Sequence, residues 1–204
     1  MTKLLGVIGD PIAHSMSPLI HNGWLRDERI DATYQAMHVP AGEIISALKT
    51  LDSRIIIGVN VTLPHKHDAL AACTEASDAA KAIGAANTLT FKSPGNWHAD
   101  NTDAPGFLHA LGDTGSQSAR VLLLGAGGSA RAIVFALTNK GIPVTILNRT
   151  VSKASDLAAE LGDEKTRYGD ISQYTEYLDT ATIVVNTTSM GYSGDLLSLT
   201  DGDG

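Results

Sequence analysis

The 204-residue chain carries 15 Lys and Arg against 22 Asp and Glu, a formal net charge of −7, with 43% hydrophobic and 18% charged residues. That balance describes an ordinary folded protein of one large or two small domains, and it argues against a general nucleic-acid or anionic-membrane surface. The single cysteine, Cys73, excludes an internal disulfide, and no apolar run approaches the ~20 residues of a membrane span. The N-terminus "MTKLLGVIGDP" reaches Gly, Asp and Pro too early for a secretory signal, so cytoplasm is the expected compartment.

Short apolar runs alternate with helical patterns along the whole chain, which predicts an α/β fold with parallel strands. Strands are expected at 3–7, 33–38 and 55–61, with helices at 18–27, 42–51, 64–74 and 77–83. A hairpin follows around "TLTFKSPGNWHADN", its turn at 93–96. A helix starting near Pro105 leads into "ALGDTGSQSA", 110–119, a small and polar stretch that marks the expected boundary. The organisation expected is therefore a first domain over 1–104, a connecting helix and linker over 105–118, and a second domain over 119–204. In the second domain strands at 120–124, 144–148 and 183–186 alternate with helices at 129–139 and 153–161. The last ten residues, from Asp195, add neither strand nor helix.

The stretch "GVNVTLPHK", 58–66, continues a buried strand and then meets a proline that opens a helix. Lys66 falls in the first helical turn, where the helix dipole disfavours an ammonium by up to about 1 kcal/mol. Either Lys66 projects into solvent or this strand end is a site.

"VLLLGAGGSARA" runs a hydrophobic strand straight into Gly125, Ala126, Gly127, Gly128, Ser129 and Ala130, matching the glycine pattern of a dinucleotide-binding strand–turn–helix. Gly125 allows the tight turn, Gly127 lets backbone approach a pyrophosphate, and Ala130 keeps the helix close to the sheet. Glycines also serve plain strand–helix turns. The next strand ends in "ILNRT": Asn148, Arg149 and Thr150, with Lys153 one turn on. An NAD site usually has a carboxylate there, whereas a guanidinium grips a 2′-phosphate, so NADP is favoured over NAD. The plain alternative for Arg149 is a solvated loop residue.

In the first half, "IGDPIAHSMSP" places Ser15 and Ser17 two apart in what reads as an extended loop, so that both hydroxyls can face one way. Ser17 before Pro18 is also a standard helix cap, an explanation that does not extend to Ser15. Asn60, Thr62 and Lys66 follow, then Asn87 in "GAANT" and Asp103 in "DNTDAPGF". Asn60 and Asn87 equally suit strand ends, and Asp103 equally suits a cap for the helix near Pro105. Together they gather hydroxyls, amides, one ammonium and one carboxylate at strand ends of one α/β domain, where such sheets bind ligands.

The ordered set "HSMSP", "NVTLPHK", "GAANT", "DNTDAPGF", "GAGGSARA", "NRT" and "NTTSMG" resembles the shikimate dehydrogenases of aromatic amino-acid biosynthesis, over nearly the whole chain. The resemblance implies an N-terminal α/β substrate domain followed by a Rossmann-type NADP domain, with the active site in the cleft. It implies that Ser15 and Ser17 bind the carboxylate side of a polyhydroxylated cyclohexene acid. It also puts Asn60, Thr62, Asn87, Lys66 and Asp103 around the substrate, the Lys–Asp pair by the reacting hydroxyl. Asp78 matches an acidic residue that approaches the cofactor, and Thr187, Thr188, Ser189 and Met190 would lie beside the nicotinamide. Lys66 would then supply a proton in reduction and accept one in oxidation, with Asp103 orienting it. No metal is implied.

The expected activity is that of an NADP-dependent oxidoreductase interconverting 3-dehydroshikimate and shikimate. The expected partners are a small-molecule substrate and at most a second copy of the chain. Quinate as substrate is one alternative. A ligand-binding form without turnover is another, because the family continues for several tens of residues past "SGD" and the Rossmann-type domain is expected to be incomplete at its C-terminal end.

Overall fold

The computed structural model describes residues 2–51, 55–112 and 118–190. The chain divides after Gly106 into two compact units. Parts of the expected 110–119 boundary, and the ten residues from Asp195, lie outside the described residues. Among the described residues no helix is long and apolar enough to cross a membrane.

The first unit is built on a six-stranded sheet. Its strands are β1 (Lys3–Gly9), β2 (Ala32–His38), β3 (Ile56–Val61), β4 (Glu75–Ala76), β5 (Thr88–Ser93) and β6 (Asn96–Asp100), in the order β2-β1-β3-β5-β6-β4. β1 pairs parallel with β2 and β3, whereas β5 runs antiparallel to β3 and joins β6 in the hairpin. Helices α1 (Ser17–Asp27), α2 (Ile44–Thr50), α3 (Lys66–Ala71) and α4 (Asp78–Ile83) fill the connections, and α5 (Asp103–Leu111) crosses the division. Ile8, Val59, Val61, Leu89, Trp97 and Ala99 of the strands meet Ile44 and Leu48 of α2 in one buried cluster.

Helix bounds move for identifiable reasons. α2 starts at Ile44 rather than at residue 42, because Gly42 has φ +84°, a left-handed conformation that cannot continue into a right-handed helix. α3 starts at Lys66, two residues past Pro64, because Thr62 to His65 form a turn closed by the His65 N–H on the Thr62 carbonyl at 3.0 Å. The two-residue β4 carries too little pattern to be read from sequence.

The second unit holds a four-stranded parallel sheet in the order β10-β7-β8-β9, with β7 (Val121–Leu124), β8 (Val144–Asn148), β9 (Arg167–Asp170) and β10 (Ile183–Asn186). All four residues of β7 are buried, and alternate residues serve opposite layers. Val121 and Leu123 pack with Ala130, Ile133 and Leu137 of α6 (Gly128–Thr138) and with Ala154 and Leu157 of α7 (Val151–Leu161). Leu122 and Leu124 join Tyr174, Tyr177 and Leu178 of α8 (Tyr174–Leu178) on the other side. Such an interior leucine is worth roughly 1.5–3 kcal/mol relative to exposure. That two-sided burial explains why β7 reads as a continuous apolar run. β9, "RYGD", is exposed at Arg167 and Tyr168 and lacks such a run, so no strand is expected there from its residues.

Candidate active site

Lys66 opens α3, and its Nζ donates to Asp103 Oδ2 at 2.5 Å. The pair is largely sheltered, with side-chain exposures of 12% and 27%. Asp103 reaches it because it is not a cap. Asn101 caps the helix instead. Its Oδ1 accepts from the backbone N–H of Asp103 at 3.1 Å and of Ala104 at 3.4 Å, while its Nδ2 donates to the Ala85 carbonyl. The expectation of Asp103 as a helix cap is thereby corrected. Both carboxylate oxygens turn toward side chains, Oδ2 to Lys66 and Oδ1 to Asn87 Nδ2 at 2.7 Å.

Asn87 is 9% exposed and its amide is heavily committed. Nδ2 also donates to Thr102 Oγ1 at 3.0 Å, and Oδ1 accepts from the Thr102 N–H, the Thr102 hydroxyl and the Thr88 hydroxyl at 2.9, 3.1 and 3.0 Å. Asn60, on β3, extends the network. Its Nδ2 lies 3.4 Å from the Asn87 carbonyl and 3.3 Å from Thr88 Oγ1, and its Oδ1 accepts from the Tyr34 hydroxyl at 2.7 Å. One hydrogen-bonded chain therefore runs from Tyr34 through Asn60, Thr88, Asn87 and Asp103 to Lys66. Burial pushes the Tyr34 phenol up to about 12, although a hydrogen bond from the Ser17 side chain pulls the other way.

The serine loop differs from its expected form. Ser15 lies in a turn, its N–H on the Ile12 carbonyl, and Met16 has helical dihedrals, so the loop is not extended. Ser17 is the first residue of α1 and does not cap it. Ser15 takes the local role instead, its Oγ accepting from the Ser17 N–H at 3.3 Å. Ser17 sits beside Tyr34 and so joins the network's far end. Thr62 follows β3, half-buried, its N–H on the Ile8 carbonyl at 2.9 Å. His65, fully buried beside Lys66, points Nε2 at the Val39 carbonyl at 2.7 Å, which moors the turn carrying the lysine. Asp78 opens α4 on the surface, 3.9 Å from Lys81, and is not joined to this hydrogen-bonded network among the described residues.

In the second unit the glycine turn joins β7 to α6. Gly125 has φ +108°, and a Cβ there would stand 2.5 Å from Thr187 Oγ1, so glycine is required both by conformation and by space. A Cβ at Gly127 would meet nothing within 4 Å, which leaves open room at the start of α6. Ala130 is fully buried against the sheet, while Ala126, Gly128 and Ser129 are half-buried. Past β8, the Asn148 Nδ2 donates to the Thr150 carbonyl at 2.9 Å, and Arg149, Thr150 and Lys153 are exposed. α7 begins at Val151, so Lys153 lies inside its first turn. Beyond β10, the Thr187 hydroxyl donates to the Leu124 carbonyl at 2.7 Å, and the Thr188 hydroxyl to Asn186 Oδ1 at 2.7 Å. The Met190 N–H returns to Thr188 Oγ1 at 3.1 Å, with Ser189 and Met190 exposed. These hydroxyls hold their own loop. An open glycine-lined helix start beside an exposed Arg and Lys fits an anionic dinucleotide.

A pocket of about 310 Å³ opens at the amino ends of these strands, around Arg120, Thr145, Arg167 and Tyr177. Open parallel sheets bind ligands at the carboxyl ends of their strands, the end opposite this pocket. Among the described residues no three His, Cys, Asp or Glu converge as a metal site.

The family model for the shikimate dehydrogenase substrate-binding domain matches residues 7–89, and that for shikimate/quinate 5-dehydrogenase matches 110–192. A Hyphomonas neptunium protein named shikimate dehydrogenase (NADP(+)) is 50% identical over 201 residues, covering 98% of this chain and 74% of that protein. The chain belongs to the shikimate dehydrogenase family. A second family member, from Roseobacter denitrificans, is 45% identical over 95% of this chain and 72% of its own length. The Thermus thermophilus shikimate dehydrogenase solved with NADP(H) and shikimate matches with TM-score 0.79 and 38% identity, over 93% of this chain and 70% of that one. The Aquifex aeolicus shikimate dehydrogenase matches with TM-score 0.83 and 35% identity, over 94% and 70%. The mixed α/β architecture, with a substrate domain followed by a Rossmann-type domain, is that of the family.

Sequence reasoning missed Tyr34, Thr88, Asn101 and Thr102. The two threonines and Asn101 stand inside the quoted motifs, whereas no sequence signal marks the Tyr34 hydroxyl, whose partner lies 26 residues away.

Proposed function

We propose that the chain catalyses the NADP-dependent interconversion of 3-dehydroshikimate and shikimate. The observation that carries this reading is the sheltered Lys66–Asp103 pair, braced by Asn87, in a chain of this family. In reduction the substrate carbonyl must gain a hydride and a proton. The glycine turn from Gly125 to Ala130 would hold NADPH, which when bound would supply the hydride. Lys66 gives its ammonium proton to the developing alkoxide, and in oxidation its neutral amine takes the proton back. Asp103 holds Nζ in place and balances its charge, and Asn87 holds Asp103. Ser15, Ser17, Asn60 and Thr62 receive the substrate's carboxylate and hydroxyls. Gly125 to Ala130 would seat the pyrophosphate, Asn148, Arg149, Thr150 and Lys153 the 2′-phosphate, and Thr187 to Met190 the nicotinamide; Asp78 is assigned to the cofactor as well.

Quinate is the second reading, favoured by the shikimate/quinate description of the matching family model. On this reading the enzyme works in the cytoplasm as a monomer or homodimer, and its net charge of −7 disfavours nucleic acid as a partner.

The test is NADPH formation at alkaline pH with shikimate and with quinate, repeated with NAD in place of NADP. Turnover of shikimate with NADP above the other three combinations is the expected result. Turnover of neither acid with either cofactor sinks the reading.

A further inference from the structure

The Asn60 amide has only one orientation that its neighbours accept. The Asn87 carbonyl, 3.4 Å away, can only accept a hydrogen bond, so the atom facing it is Nδ2 and the atom facing Tyr34 is Oδ1. Tyr34 must then donate, at 2.7 Å. The phenol is well placed to do so. Tyr34 is 4% exposed, its ring is stacked on His21 with centroids 4.2 Å apart and planes 7° from parallel, and Asn22 grips both its backbone N–H and its carbonyl at 2.9 Å. By contrast the bonds from Asn60 Nδ2, at 3.3 and 3.4 Å, are long, so a ligand oxygen can compete for that donor.

We propose that Tyr34 is a positioning residue that locks the Asn60 amide with its oxygen inward, so that Asn60 offers a ligand N–H and selects oxygen acceptors. The inference rests on the reading that this network receives a hydroxylated acid. A neutral amide fixed as a donor favours a hydroxyl, carbonyl or carboxylate oxygen and leaves a ligand ammonium or amide N–H unmatched. Without the Tyr34 hydroxyl the amide keeps only its long bonds to the Asn87 carbonyl and Thr88 Oγ1, at 3.4 and 3.3 Å, so it turns more readily, and once turned its carbonyl oxygen meets ligand oxygens with like partial charge.

Tyr34→Phe removes the hydroxyl and keeps the ring. The expected result in the full chain is a shikimate KM raised about tenfold, the size of one lost hydrogen bond plus a freed rotor, with kcat falling less than KM rises. In an Asn60→Ala background the same change adds nothing, because Tyr34 acts through that amide. The Asn60 side-chain amide resonances shift in Tyr34→Phe and their protons exchange faster with water, a readout that needs no turnover. Unchanged Asn60 resonances, or effects of the two substitutions that simply add, overturn the proposal. If the unaltered chain neither binds nor oxidises shikimate, the functional reading fails by itself, and the amide resonances still decide what Tyr34 does. Should Tyr34→Phe not fold, Asn60→Asp keeps an oxygen for Tyr34 and replaces the donor by a second, charged oxygen. Shikimate binding should then weaken at least about tenfold, and unaltered binding overturns the proposal.

Discussion

Lys66 and Asp103 lie 37 residues apart in sequence, yet Nζ and Oδ2 approach to 2.5 Å. Neither residue's own helix explains the contact. Lys66 starts α3 after a tight turn moored by His65, and Asp103 starts α5 from a cap supplied by Asn101. Two helix starts are thus aimed at each other, and the carboxylate compensates an ammonium that the α3 dipole alone would disfavour.

Replacing Lys66 by Ala should lower turnover by roughly 10²–10⁴-fold, the usual worth of a positioned acid–base group. The shikimate KM should change much less. Steady-state rates with NADP and shikimate check this, and more than about half of the original turnover would remove Lys66 from the proton role.

Asn101→Ala should cost stability and activity together. Asn101 is 2% exposed, and truncation leaves the Ala85 carbonyl unpaired while loosening the first turn of α5. The stability loss expected is about 1–3 kcal/mol, read from urea unfolding. Because Asp103 is the residue next released, kcat should fall in the variant that remains folded. A stability loss with full kcat would show that Asp103 does not depend on its cap.

Arg149→Asp should weaken NADP far more than NAD, since it replaces an exposed guanidinium by a charge that repels a 2′-phosphate. Dissociation constants for the two cofactors decide it. Equal weakening would make Arg149 a general structural residue.

Alkaline pH should expose Tyr34. An unfolded tyrosine loses its proton near 10.0 and the buried one only near 12, so between these values the unfolded chain releases a proton that the folded chain keeps. The stability contribution is whole below pH 10 and drains away as pH rises toward 12. Urea midpoints measured across that window should fall less steeply for Tyr34→Phe than for the unaltered chain. Parallel slopes would contradict the assignment.

Much of this architecture can be read from the residues alone. β7 and β8 announce themselves as apolar runs, and the glycine turn after β7 is legible because Gly125 adopts a conformation that other residues avoid. The serine loop is not legible, since two residues of separation say nothing about the turn through Ile12 and Met16 that decides which hydroxyl faces where. β9 escapes for want of apolar alternation, and α8, five residues long, is too short for a helical period to declare itself. Tyr34 reads as core. Its hydroxyl matters because of a partner 26 residues away, and no local pattern encodes such a pairing.

The committed amide of Asn87 has a bearing on how such a site can change over generations. Both of its protons and its carbonyl oxygen are spent on Asp103, Thr102 and Thr88, so a substitution at any of these four residues leaves polar atoms of the others without partners. Stepwise drift through that cluster passes through damaged intermediates, each with a buried group unpaired. The serine turn carries fewer obligations: among the described residues the hydrogen bonds of Ser15 go to Ile12 and Ser17. New substrate preferences should therefore enter at the serine end of the site, where a single residue can be exchanged without its neighbours, while the lysine end stays as inherited.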